Sequence, residues 1–338
     1  MPEPRTIRIA SRGSALALAQ TNLIKARCEA AFPRLRFEVQ IIKTTGDRMQ
    51  TMALNNPVQE STKGLFTKEL EVALLDRSCD FAVHSLKDLP TELPSGLKLG
   101  AVPEREDVRD ILIYRHAGAG TQSKARGQDA PLPFGAPSGA VVKDFPSGAT
   151  IATSSTRRQA QLLAIRSDLK LVPIRGNVGT RLQKLADQKE LDGIILAAAG
   201  VRRLGFSINE AGELSGQHVP AGLQAVFLGT VEMIPCVGQA ALGIEIREND
   251  PELESICAGL NHPSTHACVL AERAFLRHMG GGCLSPVAAY AQISREQLAI
   301  RGISFRNEMV RKGEVAGPVA DAENLGVKLA DQLGAGIT

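Results

Sequence analysis

Short apolar runs of strand type alternate with helical segments through most of the chain, and this alternation restricts the fold more than any other feature. Ile7–Ala10 reads as a strand, the turn Ser11-Arg12-Gly13-Ser14 follows it, and a helix runs on through Lys25 with serine available as its N-cap. A second strand over Phe37–Lys43, a helix over Thr67–Asp76 and a short buried strand over Phe81–His84 continue the pattern. Such alternation predicts a parallel α/β sheet, with functional groups gathered at the strand ends.

Between Ala117 and Gly148 the composition shifts to Gly, Ala, Pro and Ser. Pro131, Pro133, Pro137 and Pro146 predict a long exposed loop there. The alternation then resumes with a strand near Thr150–Thr153, a helix over Thr156–Ile165, a strand over Leu169–Ile174, a helix after Asn177 and the strand Gly193–Ala197. This predicts a second α/β unit. From about His262 the pattern changes to one helix, three alternating strands (Val287–Gln292, Gln297–Ile303, Met309–Val315) and a closing helix over Asp321–Leu333, an α+β unit. No internal repeat is legible.

Composition narrows the function classes. A hydrophobic fraction of 43% with 22% charged residues is ordinary for a globular protein. A net charge of +3, no Trp and 4% aromatics under-supply both a phosphate-tracking surface and base-stacking platforms, so no nucleic acid partner is expected. Arg5, Arg8 and Arg12 ahead of Ala15-Leu16-Ala17-Leu18-Ala19 imitate an export signal, but the run falls short of the roughly 7–15 apolar residues such a signal needs. No stretch approaches the ~18 apolar residues of a membrane span, and the expected location is the cytoplasm. Cys28, Cys79, Cys236, Cys257, Cys268 and Cys283 fall at irregular spacings, as scattered thiols of a reducing compartment do. His262 and His266 have helical ligand spacing but no third ligand nearby, so no metal is expected and a surface or capping role remains.

Basic residues recur at the strand-to-helix turns: Arg12 after the first strand, Arg157 and Arg158 after Thr153-Ser154-Ser155, and Arg175 ahead of Gly176-Asn177-Val178-Gly179-Thr180-Arg181. Helix starts attract anions through unpaired amides, and guanidinium forks match carboxylates, so the expected ligand carries several negative charges. Taken singly, each arginine equally suits a solvated helix face. In His84-Ser85-Leu86-Lys87-Asp88-Leu89-Pro90, Asp88 stands at a strand's carboxyl end, where it could stabilise a cationic intermediate or relay a proton. On its own it also reads as a turn cap. Gly280-Gly281-Gly282-Cys283 presents a thiol on an unhindered loop, although a lone cysteine is more often a small buried hydrophobe.

Together these motifs resemble the porphobilinogen deaminase family from Ile7 to about Ala291. The segments that carry the likeness are Arg8 to Ser14, Thr44 to Asp47, Lys63 to Glu71, His84 to Pro90 and Glu104 to Asp107. Thr153 to Gln159, Arg175 to Arg181, Gly238-Gln239, Ala271-Glu272-Arg273-Ala274 and Gly281-Gly282-Cys283 complete the set. The resemblance implies two α/β domains like type II periplasmic binding proteins flanking a cleft, plus a smaller α+β domain bearing the cysteine loop. The expected division is residues 1–105 with about 238–260, then 106–237 carrying the 117–148 loop, then 261–338.

The resemblance also implies a dipyrromethane cofactor, thioether-linked to Cys283, on which four porphobilinogen molecules are joined head to tail with loss of ammonia to give hydroxymethylbilane, a step of tetrapyrrole biosynthesis. Asp88 matches the family's catalytic aspartate. Ser14, Lys87, Thr153, Ser154, Ser155, Arg157, Arg158, Asn177 and Gln239 match cofactor-binding positions, and Arg12, Lys63, His84, Ser85, Arg175, Arg181 and Arg203 match substrate-binding ones. A monomer is implied. The chain departs from the pattern at Met49–Thr62, at Ala152 and Ala240 where glycine is often seen, at Leu284-Ser285 and in the 117–148 loop. The alternative readings are a non-catalytic carboxylate binder of the same architecture, which has no evident use for Asp88 or Cys283, and a poorly active homologue.

Overall fold

Three main sheets organise this computed structural model, which describes residues 5–47, 66–115, 140–282 and 285–334. The first comprises β1 (Thr6–Arg12), β2 (Arg36–Ile42), β3 (Phe81–Ser85), β4 (Leu97–Ala101) and β12 (Leu242–Arg247), in the order β2-β1-β3-β12-β4. The second comprises β5 (Asp110–Arg115), β6 (Thr150–Ala152), β7 (Lys170–Val172), β8 (Gly193–Ala197) and β11 (Leu223–Leu228), in the order β11-β5-β8-β6-β7. The third is the antiparallel meander β13 (Val287–Ser294), β14 (Gln297–Ser304) and β15 (Arg311–Pro318); β9 (Ser207–Ile208) pairs with β10 (Leu214–Ser215) beside the second sheet.

Side-chain alternation along the strands sets the layers. Ile7 and Ile9 of β1 face Ile24 and Cys28 of α1 (Ala15–Ala31) and Ile256 of α7 (Pro251–Leu260). Ala10 faces the other way, onto Leu70 and Leu74 of α2 (Lys68–Leu75). In the second sheet Ile111, Ile113 and Ile194 meet Leu182 and Leu185 of α5 (Val178–Asp187), while Leu112 and Ile195 meet Leu162 of α4 (Thr156–Ile165). Val142 and Phe145 belong to that second layer too, at and just after α3 (Ala140–Asp144). The end of the stretch expected to be an exposed loop is therefore folded into the core, its apolar residues outweighing the Pro and Gly around them; residues 116–139 lie outside the described ones. The meander packs against α8 (Pro263–His278) and α9 (Ala322–Gln332) through Phe275, Leu298, Ile300, Leu325 and Leu329, as its sequence pattern predicts.

The α/β alternation is as expected, but each of the two large sheets is mixed and not wholly parallel. β1 is parallel to β2 and β3, and β6 to β7 and β8, but β12 is antiparallel to β3 and β4, and β5 to β8 and β11. β5 and β12 are the first strands of their sheets after the chain has crossed from the other one. A strand entering from the side where the parallel strands end must run against them. The two sheets also share one strand order, β2-β1-β3-β12-β4 corresponding to β7-β6-β8-β5-β11. This repeat is carried by topology and not by residue identity, which is why the sequence does not reveal it.

The two crossings, residues 102–109 and 229–241, are bonded to each other. Arg105 Nε donates to Gln239 O (2.6 Å), and Gln239 Nε2 donates to Val108 O (2.7 Å). Glu272 of α8 clasps both: its carboxylate takes Arg105 Nη1 (2.7 Å) and Nη2 (3.0 Å), Gly238 N (2.8 Å) and, from its own domain, Ala291 N (3.0 Å). Ala240, at a position where glycine is often seen, stands at φ +68° in the left-handed region, a conformation costing an L-residue roughly 1–2 kcal/mol. The buried contacts around it hold it there.

Candidate active site

The parallel strands β1, β3, β6 and β7 each lead to polar groups at their carboxyl ends, where open α/β sheets bind ligands. β1 runs into Arg12 and then Ser14, whose hydroxyl caps α1 by accepting from Ala17 N (3.3 Å). β3 runs into Ser85 and the 3-10 turn Leu86–Asp88. β6 leads to Thr153-Ser154-Ser155, where Ser155 caps α4 by accepting from Arg158 N (3.4 Å). β7 leads to Arg175 and Asn177, which caps α5 by accepting from Thr180 N (2.8 Å). β8 leads directly into α6 (Ala198–Arg203). The ends of the two sheets meet. Arg203 Nη2 reaches Ala240 O (2.5 Å), the Arg181 guanidinium feels the Asp88 carboxylate, and the Cys236 thiol lies in the fields of Arg157, Lys87, Asp88 and Arg158.

Several expected ligand-binding groups prove to have partners inside the protein. Arg12 forms a bidentate pair with Asp47 (2.5 and 3.3 Å) and stacks over the Phe66 ring at 4.1 Å. Burial pushes the Asp47 carboxyl up, but hydrogen bonds from Arg12 and Thr44 outweigh it and hold the group below the usual range. Arg157 and Arg158 are buried on a carboxylate that sequence reasoning missed: Asp110, fully buried at the start of β5. Its Oδ2 accepts from Arg157 Nη1 (2.6 Å), and its Oδ1 from Arg158 Nη2 (2.7 Å), Arg158 Nε (3.1 Å) and Gln239 Nε2 (3.0 Å). His84 was expected beside the substrate. It is instead 6% exposed inside the first sheet, its Nε2 2.8 Å from Glu245 Oε2 on β12. β3 is the central strand of its sheet and is covered on both faces, so His84 is buried whichever face it takes. Ser85 exchanges hydrogen bonds with Gln20 (2.8 and 3.0 Å), and Ser154 accepts from Ile174 N and donates to Ile174 O.

Other cations have no such compensation. Arg203 and Arg181 are only partly exposed, and their side chains bond to backbone carbonyls alone, Arg203 to Ala240 O and Arg181 Nε to Gly176 O (2.8 Å). Neither has a carboxylate within ion-pair distance among the described residues. Burial pulls the Arg203 pKa down to about 10, with Glu106 opposing and Arg27 adding, and burial together with Arg158 lowers that of Arg181. Arg175 is exposed at the same rim. Three buried polar atoms here also lack partners among the described residues: the donors Arg157 Nε and Arg203 Nε, and the acceptor Gln239 Oε1. Asp88 itself is exposed. Lys63 and Cys283 lie outside the described residues, as does residues 48–65, which includes the Met49–Thr62 departure.

Beyond Asp110, sequence reasoning gave no role to Asp47, Glu245, Glu272 or Arg273. Asp47, Glu272 and Arg273 stand inside motifs that carried the family likeness, which was the available signal; Asp110 and Glu245 stand in apolar strands with no motif around them. His262 caps α8 by accepting from Thr265 N (3.3 Å), the capping alternative weighed for it.

The family model described as "Porphobilinogen deaminase, dipyromethane cofactor binding domain" matches residues 7–255, and the one described as "Porphobilinogen deaminase, C-terminal domain" matches residues 266–335. The chain belongs to the porphobilinogen deaminase family. Among its relatives, the porphobilinogen deaminases of Geotalea uraniireducens and Syntrophus aciditrophicus are each 42% identical, covering 97% of this chain and 91% and 94% of their own lengths. That of Carboxydothermus hydrogenoformans is 39% identical over 97% of this chain and 94% of its own. Likeness to solved structures is slight: an ancestral cationic amino acid solute binding protein gives a TM-score of 0.39 at 11% identity, covering 79% of this chain and 93% of that one. The chain is thus an enzyme of the porphobilinogen deaminase family, joining four porphobilinogen molecules with release of ammonia to give hydroxymethylbilane, with the family's dipyrromethane cofactor.

Proposed function

We propose that the cleft between the first and second sheets performs this polymerisation with Asp88 as its catalytic carboxylate and the uncompensated arginines as its carboxylate holders. The carrying observation is that Arg181 and Arg203 are partly buried cations bonded only to backbone carbonyls. A partly buried cation with no carboxylate in direct contact is costly to maintain. A substrate bearing an acetate and a propionate on every pyrrole supplies the missing partners, and the elongating chain adds two carboxylates at each cycle.

The donor set fits the cofactor by the same chemistry. Arg157 Nε and Gln239 Oε1 are buried with open hydrogen-bonding capacity, and the amides at the starts of α1, α4 and α5 add positive potential. When bound, the dipyrromethane supplies the pyrrole carbon onto which incoming units are added. Arg175, Arg181 and Arg203 hold and orient the acidic side chains of substrate. Asp88 accepts hydrogen bonds from pyrrole N–H groups and stabilises the positive charge that develops as the aminomethyl group leaves as ammonia. Arg12, Ser14, Lys63, Lys87 and the Thr153–Ser155 turn complete the proposed contact set. We further infer that the protein has no nucleic acid partner, on the net charge of +3 and the scarcity of aromatics, and that it is a cytoplasmic monomer, the monomer by likeness to the family and the location from the shortness of its apolar runs; no helix among the described residues is long and apolar enough to cross a membrane.

The first test is the denatured intact mass of the purified protein with peptide mapping. The expected result is an excess equal to one dipyrromethane on the peptide holding Cys283. A bare mass that persists after incubation with porphobilinogen rejects the proposal. A second expectation separates binding from folding. Arg203→Met removes a poorly compensated charge, so stability stays within about 1 kcal/mol of the parent or rises. The loss of a charge-assisted contact raises the KM for porphobilinogen by about tenfold or more. A fall in melting temperature with unchanged KM makes Arg203 a structural residue instead.

A further inference from the structure

One face of α8 grips the turn that carries Asp88. Val269, Glu272 and Arg273, spaced i, i+3 and i+4, lie on that face. Val269 packs in one apolar cluster with Leu86 and Leu89, the residues flanking Lys87-Asp88. Arg273, 6% exposed, donates from Nη1 to Leu89 O (3.2 Å) and from Nη2 to Pro90 O (2.6 Å), the two carbonyls that follow Asp88. Glu272 acts one step removed. It holds Gly238 N, and a Cβ on Gly238 would lie 3.2 Å from Lys87 N and 3.3 Å from Leu86 C, so the Gly238 backbone is pressed against the turn. Leu86 N bonds to Ala241 O (3.0 Å), and Leu89 N closes the turn on Leu86 O (3.2 Å).

Arg273 makes no ion pair with a carboxylate among the described residues. Burial pulls its pKa down to about 10, Arg277 adding to the effect and Glu245 opposing it. A methionine would fill similar space without the cost of burying a charge. What the guanidinium adds is a rigid planar fork that fixes two consecutive carbonyls. The Asp88 side chain meanwhile stays exposed at the tip of the turn.

We propose that Arg273 is a positioning residue for Asp88: from the C-terminal domain it clamps the Leu89 and Pro90 carbonyls and so fixes where the Asp88 carboxylate stands in the cleft. This rests on the assignment of Asp88 as the catalytic group. A misplacement of about 1 Å at a reacting centre costs on the order of a hundredfold in rate, whereas carboxylate holding by Arg175, Arg181 and Arg203 is left intact. The clamp therefore governs kcat and not KM.

The experiment compares Arg273→Met and Arg273→Lys with the parent as purified holoenzymes, counted by intact mass and checked for melting temperature, with Asp88→Asn alongside. Expected for Arg273→Met is a kcat per holoenzyme lower by about ten- to a hundredfold with KM within about threefold. Arg273→Lys, which keeps a donor and the charge, recovers part of the loss. If Arg273→Met yields no folded holoenzyme, Arg273→Lys decides by the same kcat-against-KM split. A kcat per holoenzyme equal to the parent's in the folded variants, beside an inactive Asp88→Asn, overturns the clamp alone. Full turnover in Asp88→Asn overturns both the clamp and the assignment beneath it.

Discussion

Asp88→Asn lowers turnover by a factor on the order of a thousand and leaves folding unchanged. The side chain is exposed at the tip of a 3-10 turn held by backbone bonds, by Leu86 and Leu89 in the core and by Arg273 from behind. The amide is isosteric with the carboxylate, so none of these supports is touched. What is lost is one negative charge aimed at a pyrrole that becomes cationic, and removing one preorganised stabilising group from an active site costs about a hundred- to a thousandfold. The check is kcat per holoenzyme, with melting temperature and bound cofactor measured on the same preparation. A variant within tenfold of the parent removes Asp88 from the mechanism.

Asp110→Asn gives the opposite outcome, a protein that fails in stability first. Four donors from two buried arginines and Gln239 converge on the Asp110 carboxylate, tying the start of β5 to α4 and to the return crossing. Taking away its charge strands two buried guanidinium groups, a loss of about 3–5 kcal/mol for a broken buried pair. Denaturant unfolding reads this as a lower midpoint. A change under about 1 kcal/mol would show that solvent already compensates the arginines.

The pH dependence of that contribution has a definite sign. Burial alone would raise the Asp110 pKa, but Arg157 and Arg158 outweigh it and hold the carboxyl far below its ordinary value. The unfolded chain then binds more protons than the folded one, so stability rises with pH up to the unfolded value of about 4 and is fully present above it. It is lost progressively as pH falls below about 4 towards the folded value. Parent protein should therefore show a steep acid limb of stability that Asp110→Asn flattens.

The sequence made local signals legible and long-range pairings illegible. Ser14, Ser155, Asn177 and His262 cap their helices within three residues, and such caps can be read wherever a short polar side chain precedes a helical run. Arg157 and Arg158 sit beside a cap at a strand end and so read as cleft cations. Their shared partner Asp110, 47 and 48 residues away, buries both on one carboxylate, and nothing local announces that pairing. His84 shows the same limit, since its place beside Asp88 in the chain says nothing of Glu245, 161 residues on. β5 and β12 look like any other apolar strand, and only the crossings decide that they run antiparallel. The arginines left without carboxylates were visible as cations but not as uncompensated ones, because compensation is a property of tertiary neighbours.

The position of β12 in the first sheet has a consequence for how the chain is completed during synthesis. Every strand of the second sheet lies between residues 110 and 228, so that sheet can close as soon as this stretch has left the ribosome. The first sheet begins earlier and finishes later. β4 is joined to it only through β12, so β3 keeps an open edge until residues 242–247 emerge. The part of the protein that carries Asp88 is therefore the first α/β unit to be made and the last to be sealed, and nascent chains interrupted between the two events expose an unpaired strand edge, the feature most prone to pair with a neighbouring chain.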